Sequence, residues 1–190
     1  MLHSNSPHLD PRVKRTRKLL EDAFKSLLAE RPSDEISVGD VTRRAKVNRA
    51  TFYAHFEDIH HFATEVLRGS LQTALREGIR QGTPMNSETL IEFGTQVFEF
   101  FDHFYRHCSK LDSEKELNIA KTFQETIQIF LASWIRQDRN AMRLFPDSTP
   151  ETAATALAWA LYGGAVRWSR LTPRPPATQA AREIVALLVR

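Results

Sequence analysis

Residues 46 to 56, with the sequence KVNRATFYAHF, combine hydrogen-bond donors with aromatic residues on a short segment. On a helix, Phe52 and Phe56 lie one turn apart and share a face, whereas Ala50 and Ala54 point the opposite way. The donors at the edges of this small outward face are Arg49, Thr51, Tyr53 and His55. An arginine can give a guanine two hydrogen bonds, an alanine can touch a thymine methyl, and hydroxyl groups can reach phosphate oxygens. The segment therefore has the chemistry of a DNA-reading helix.

Two short helices are predicted to position these residues. The first begins at Ser37, with Asp40 three residues later in a close relative of the capping box, and its inner face carries Val41 and Ala45. The second has Asn48 as its N-cap. Two helices of about two turns each, joined by the turn AKVN, have the length and core of a helix-turn-helix. In that motif the second helix enters the major groove.

The positive charge of the chain is concentrated around this motif. The whole chain has a formal net charge of +3, and residues 1 to 57 hold this entire excess, because the remainder carries equal numbers of acidic and basic residues. The run RVKRTRK at 12 to 18 has cations but no acid. Basic segments attract polyanions such as nucleic acids, although a solvated helix start explains such a run equally well.

Helical periodicity continues along the chain, and no alternating strand pattern occurs. We predict an all-α protein with a three-helix N-terminal domain at residues 1 to 57, ordered from about residue 12, and a helical domain at 58 to 190. A first helix is predicted to begin after Pro11 and to extend to Leu28. The helices predicted after the helix-turn-helix cover about 58 to 81, the segment NSETL to about 108, about 113 to 137, 150 to about 171, and about 181 to 188.

Several classes of protein are not expected. The single Cys108 permits no intrachain disulfide, which fits a cytoplasmic location, and the first ten residues do not read as a secretory signal. The longest uncharged stretch, 152 to 166, is too short to span a membrane. No phosphate loop, nucleophile elbow or paired-carboxylate motif indicates an enzyme, and no cofactor is expected.

The N-terminal third resembles the DNA-binding domain of the TetR family of bacterial one-component regulators. The segments that carry the resemblance are RTRKLLEDAFKSLL at 15 to 28 and ISVGDVTRRAKVNRATFYAHF at 36 to 56, and TFYAHF is the most specific part. The resemblance implies a homodimer that binds a palindromic operator in double-stranded DNA and a C-terminal domain that binds a small-molecule effector and dimerises. The DNA contacts that we expect are Arg15, Thr16, Arg17, Ser37, Gly39, Lys46, Arg49, Ala50, Thr51, Tyr53 and His55.

Two residues depart from the family pattern. Lys46 stands where the family usually has glycine, at a turn position that we expect to have positive φ, where a side chain costs about 1 kcal/mol. Lys46 is either a phosphate contact or a tolerated surface residue. Ile59 stands where a lysine is common, so the phosphate contact of that lysine is not carried over. Amides at this helix start are an alternative phosphate site, which Glu57 and Asp58 would oppose.

Aromatic residues on the middle helices suggest an apolar effector pocket, although most of them are expected to be ordinary core. The pocket residues that we expect are Phe98, Phe101, His103, Phe104, His107, Phe123, Phe130 and Trp134. The spacing of His103, His107 and Cys108 permits metal binding, but no second ligand motif accompanies them, so no metal site is predicted.

The last two helices are predicted to form a four-helix interface across a two-fold axis. The alternative is that they pack only within one protomer. The predicted interface residues are Leu157, Leu161, Ala165, Trp168, Ile184 and Leu188.

The sequence thus predicts a non-enzymatic transcriptional regulator, a repressor released from its operator by an effector. The alternative is a DNA-binding protein of the same fold that acts through a protein partner.

Overall fold

A computed structural model describes residues 11 to 107, 113 to 138 and 140 to 189. The described residues form eight α-helices and two short 3-10 helices, without a strand. The α-helices are α1 (Pro11–Leu28), α2 (Val38–Ala45), α3 (Arg49–Tyr53), α4 (Ile59–Gly78), α5 (Ser87–His107), α6 (Ser113–Gln137), α7 (Pro150–Ser169) and α8 (Ala177–Leu188). The 3-10 helices are Ser33–Glu35 and Ala141–Leu144. The all-α prediction is confirmed.

The chain divides into two compact units within α4. The first contains the described residues up to Ala63 together with His107, and the second contains Thr64 to Arg106 and the described residues from 113 onward. Each unit has buried apolar residues of its own. None of the helices in the described part of the chain is both long and apolar enough to cross a membrane.

An aromatic cluster forms the core of the first unit. Phe62 of α4 lies with its ring centroid 5.3 Å from Phe24 of α1, 5.3 Å from Phe52 of α3 and 4.6 Å from Phe56. All four rings are buried. Aromatic pairs at these spacings contribute about 0.5–1.5 kcal/mol each beyond the burial of their area. The cluster therefore holds the short α3 against two longer helices.

Close packing of α5, α7 and α8 organises the second unit. A Cβ atom on Gly94 of α5 would lie 3.0 Å from a methyl group of Leu161 and 3.1 Å from Cβ of Ala181. One on Gly164 of α7 would lie 3.0 Å from the ring of Phe98 and 3.1 Å from Ile184. Both glycines thus permit an approach that a larger residue would obstruct.

This packing corrects the predicted dimer face. Leu157, Leu161, Ala165 and Trp168 are buried within their own protomer, so these side chains are not available to a second copy. The other two predicted residues, Ile184 and Leu188, are half-buried against the same core. The α7 residues that face solvent are different ones: a stripe spaced three or four residues apart, formed by Thr152, Ala156, Trp159, Gly163 and Arg167, and also Glu151.

Candidate DNA-binding site

The first helix of the motif begins with a complete capping box. The amide of Asp40 donates to Oγ of Ser37 at 3.2 Å, and the amide of Ser37 donates to the Asp40 carboxylate at 3.1 Å. The hydroxyl of Ser37 also donates to this carboxylate, at 2.6 Å. These two hydrogen bonds from Ser37, aided by the nearby charges of Arg31 and Arg43, lower the pKa of Asp40 to about 2. The predicted cap is confirmed, and it commits the Ser37 hydroxyl to α2.

Lys46 ends α2 in the left-handed conformation, with φ 56° and ψ 41°. The amide of Lys46 donates a hydrogen bond to the carbonyl of Arg43 at 3.3 Å, and the amide of Val47 donates one to the carbonyl of Thr42 at 3.0 Å. This pairing satisfies carbonyls at the end of the helix and turns the chain toward α3. The expected positive φ is confirmed, and the Lys46 side chain is exposed.

The recognition helix α3 is shorter than the sequence predicts. Asn48 caps it as expected, because its side chain accepts from the amide of Ala50 at 2.9 Å. The α-helix then ends at Tyr53, and residues 54 and 55 form a turn. Phe56 nevertheless packs on Phe52, with ring centroids 5.5 Å apart. A predicted helix of about two turns is therefore a five-residue helix followed by a turn that keeps the aromatic contact.

The outward face of α3 carries most of the predicted reading residues. Arg49, Ala50 and Tyr53 are exposed, the last at 57% of its full surface. Thr51 and His55 are half-buried at the edges. A face with small residues at its centre lets a helix backbone approach base edges in the major groove.

Arg49 also contacts the start of α2, which the sequence does not reveal. A Cβ atom on Gly39 would lie 2.5 Å from a guanidinium nitrogen of Arg49 and 3.5 Å from Oγ of Ser37. Gly39 is accordingly buried beneath this side chain. The guanidinium group lies beside the N-terminal turn of α2, so it joins the two helices on the predicted DNA-facing side.

The predicted contacts on α1 differ in their surroundings. Arg15 is exposed, and Thr16 is half-buried. The guanidinium carbon of Arg17 lies 4.7 Å from the centroid of the Phe56 ring, a cation–π distance. Arg17 therefore supports the aromatic core as well as offering charge.

Ion pairs between elements tie α2 to the end of α1. Arg44 donates to both carboxylate oxygens of Glu30 at 2.8 Å and to Ser26 at 2.7 Å. The hydrogen bond from Arg44 lowers the pKa of Glu30. Arg31 lies 3.0 Å from Asp40. These ion pairs hold the motif together. Neither pair was predicted from the sequence, because the paired residues belong to different elements and, for Arg44 and Glu30, lie 14 residues apart.

The start of α4 is closed by its own cap. The carboxylate of Asp58 accepts from the amides of His60 and His61, each at 2.8 Å. These hydrogen bonds, that of His61 first, lower the pKa of Asp58. Because a carboxylate already occupies the helix start, the alternative of phosphate binding by these amides has no support.

The aromatic residues predicted to line an effector pocket are mainly core. Phe98, Phe101 and Phe123 are fully buried. Phe130 and Trp134 pack on Phe93, with centroid distances of 5.4 and 5.9 Å. Phe130 and Trp134 therefore belong to the packed core and do not line a cavity.

The remaining predicted pocket residues give a mixed picture. Phe104 is half-buried and His103 is exposed. The side chain of His107 and all of Cys108 lie outside the described residues. Within the described part of the chain, no group of three metal-ligating side chains is found.

Comparisons with known proteins agree with this geometry. Residues 20 to 65 match the family model of bacterial regulatory proteins of the tetR family. A 70-residue segment is 37% identical to the HTH-type transcriptional regulator YxbF of Bacillus subtilis (strain 168), covering 36% of this chain and 17% of that relative. This chain therefore matches only about a sixth of the length of that relative.

Solved structures extend the likeness in fold to almost the whole chain. The TetR family repressor AlkX from Dietzia sp. strain DQ12-45-1b superimposes with a TM-score of 0.58 at 18% identity, over 90% of this chain and 94% of that one. The regulator FadR from Bacillus subtilis, solved in complex with stearoyl-CoA, gives 0.53 at 13% identity, over 90% and 97%. Residues 20 to 65 therefore match a DNA-binding domain of the tetR family, and almost the whole chain has the fold of TetR-family regulators.

Proposed function

We propose that this protein is a homodimeric repressor that binds a palindromic operator and leaves it when a small-molecule effector binds. The observation that carries the proposal is the outward face of α3, where Arg49, Ala50 and Tyr53 are exposed beside the turn at Lys46. In this proposal residues 1 to 57 form the DNA-binding domain, and residues 58 to 190 bind the effector and dimerise.

The proposed contacts divide into base reading and positioning. Arg49 reads a guanine and Ala50 touches a thymine methyl, since these are the side chains at the start of the recognition helix. Arg15, Lys46 and Tyr53 contact phosphates, which fixes the register of the helix without reading sequence. Ser37 contributes through its cap rather than its hydroxyl, because that group already donates to Asp40.

A dimer is proposed because a symmetric operator requires paired heads. Its interface uses the solvent side of α7, where Trp159 is 56% exposed and a Cβ atom on Gly163 would contact nothing within 4 Å. Leu187 of α8, at 82% exposure, is a further apolar side chain in the last two helices. A stable symmetric interface there should bury at least about 1,200 Å² in total.

Release by an effector is supported by the fold neighbours. AlkX is described as a repressor implicated in biodegradation of n-alkanes, and FadR was solved with stearoyl-CoA. By analogy the helical body of this chain holds a small molecule that changes operator affinity, which requires different affinities of that molecule for the two states of the protein.

The proposal is tested with an operator selected from random duplex DNA by the purified full chain. Fluorescence anisotropy at increasing salt should show log affinity falling by about 0.9 per phosphate contact per log unit of salt. With three phosphate contacts in each of two heads, affinity should fall by about three orders of magnitude between about 50 and 200 mM salt. A scrambled duplex is the control. A flat salt response, or equal affinity for both duplexes, would reject operator binding.

A further inference from the structure

A cavity of about 320 Å³ lies in the second unit, between the C-terminal parts of α5 and α7 and the loop that precedes α8. This volume is at the small end of the range for ligand pockets, about 300–1,000 Å³. The cavity is lined by Phe101, Asp102, Arg106, Val166, Ser169, Arg170 and Arg174. Only Phe101 belongs to the pocket residues that the sequence predicts.

An ion-pair cluster forms the polar wall of this cavity. The carboxylate of Asp102 is almost fully buried, and each of its oxygens accepts from a different arginine, Oδ1 from Arg174 and Oδ2 from Arg106. Two guanidinium groups therefore share one carboxylate, which leaves a positive charge at the cluster. Arg170 adds another positive charge to the lining.

Arg174 is held in place from three sides. Besides Asp102, its guanidinium donates to the carbonyl of Ser169 at 2.9 Å and stacks over the Trp168 ring at 4.8 Å from the centroid. The indole nitrogen of Trp168 in turn donates to the carbonyl of Pro175 at 2.8 Å. Arg174 is therefore a fixed part of the cavity lining.

Two apolar residues also line the cavity. Phe101 is fully buried and packs on Phe123, with centroids 5.2 Å apart, so its ring is rigidly placed. Val166 of α7 is half-buried and lies four residues before Arg170, which follows the helix. A cavity lined by cationic and apolar side chains together suits a molecule that carries both an anionic group and an apolar part.

We infer that this cavity binds a small organic anion, whose carboxylate or phosphate group pairs with Arg106 and Arg170 and whose hydrocarbon part contacts Val166. Asp102 is a positioning residue, since it orients Arg106 and Arg174 without contacting the ligand. The role of this cavity as the effector site rests on the proposed function, and the inference adds the chemical class of the effector.

The test uses isothermal titration calorimetry on the full chain without DNA. The probes are benzoate, phenyl phosphate, the neutral isostere benzamide, and inorganic phosphate. We expect benzoate or phenyl phosphate to bind, with benzamide and inorganic phosphate much weaker. The two aromatic anions distinguish a carboxylate ligand from a phosphate ester.

The variants Arg106→Gln and Arg170→Gln should each weaken the binding of benzoate or phenyl phosphate, whichever binds the parent more tightly, by about 10- to 100-fold. This is the loss expected for a charge-assisted hydrogen bond. Both arginines are exposed, and Asp102 keeps Arg174 in the first variant, so circular dichroism should show a folded protein. Arg182→Gln is the matched control, because Arg182 is an exposed arginine of α8 outside the cavity.

The inference is overturned if neither aromatic anion binds more tightly than benzamide, or if both cavity variants bind like the parent. If phenyl phosphate binds, equal affinity for inorganic phosphate would also overturn the inference, because the apolar lining would then take no part in binding. The proposed function fails separately: a chain that binds the anion but no selected operator refutes the repressor and leaves the anion site intact.

Discussion

Both units of this protein combine arginines with aromatic rings, but they arrange them in opposite ways. In the first unit the rings of Phe24, Phe52 and Phe62 are inside, and Arg49 lies outside on a five-residue helix. In the second unit Arg174 lies over Trp168 at the wall of a cavity. An outward arrangement suits a large polyanion that approaches a surface, whereas an inward one suits a small ligand that can be enclosed.

The two arrangements also differ in how far apart along the chain their residues lie. Apart from Arg15 on α1, the residues of the first site lie in one segment of about 20 residues, with its caps and its turn. In the second, Asp102 pairs with Arg174, which is 72 residues away. A site of the first kind can be recognised from a short motif, and one of the second kind requires the packing of whole helices.

The largest expected effect tests the buried face of α7. Leu161 is fully buried beside Gly94, so Leu161→Arg places an unpaired charge in the core and should cost about 3–5 kcal/mol. Urea unfolding followed by circular dichroism measures this loss. If Leu161 lay at a subunit interface, as the sequence predicts, this variant would instead be a folded monomer. That result would contradict the burial of Leu161 within its own protomer.

Trp159→Arg is the matched variant on the solvent side of the same helix. Because Trp159 is 56% exposed in the protomer, unfolding of the protomer should change by no more than about 0.5 kcal/mol. Under the proposed dimer it should nonetheless sediment as a monomer and lose operator binding. A Trp159→Arg variant that stays dimeric would place the interface elsewhere.

The next effect concerns base reading at Arg49. Arg49→Ala should cost about 1–3 kcal/mol of operator affinity and relax preference at one position of each half-site. Arg15→Ala is the comparison, since loss of a phosphate contact should weaken all sequences evenly and reduce the salt slope by about 1. Binding-site selection with each variant gives the result. If Arg49→Ala kept its full base preference, its packing on Gly39 would be its main role.

A smaller effect is expected at the strained turn. Lys46→Gly relieves the left-handed conformation of a side-chain-bearing residue and should raise the free energy of unfolding by up to about 1 kcal/mol. Lys46→Ala removes the same charge without relieving the backbone, so it separates the two roles. If both variants lose the same amount of the salt slope while only glycine stabilises, Lys46 is a phosphate contact at a strained position. Equal stability of the two variants would contradict the strain.

Features set by neighbouring residues were predictable from the sequence. The caps at Ser37 and Asn48 and the positive φ of Lys46 each depend on side chains within a few positions. The eight helices follow from apolar spacing and these caps. The end of α3 at Tyr53 was not predicted, because the contact of Phe56 with Phe52 survives both in a helix and in the observed turn.

The solvent and core sides of α7 could not be assigned from the sequence, because both are apolar. The segment ALAWALYGGAV offers Leu161 and Trp159 as equally plausible interface residues. The burial of Leu161 and its closeness to Gly94 of α5 identify the inner side. The cavity cluster was missed for a related reason: Asp102, Arg106 and Arg174 share no motif, and helix packing alone brings them together.

The smallest expected effect tests whether the negative charge of Asp40 stabilises the N-terminal cap of α2. Folding lowers the pKa of Asp40 from an ordinary value of 3.8 to about 2, chiefly through the hydrogen bonds from Ser37. Because the ionised form is favoured in the folded protein, the resulting stability is fully present above the ordinary pKa and is lost as pH falls through the folded value. Asp40→Asn should therefore unfold at slightly lower urea than the parent near neutral pH, and this gap should close between about pH 4 and pH 2. Asp34→Asn, on the exposed 3-10 helix before the cap, is the control and should show no such closing gap. A gap for Asp40→Asn that stays constant down to pH 2 would mean that the side-chain amide disturbs the cap by its geometry, and that the charge of Asp40 does not stabilise α2.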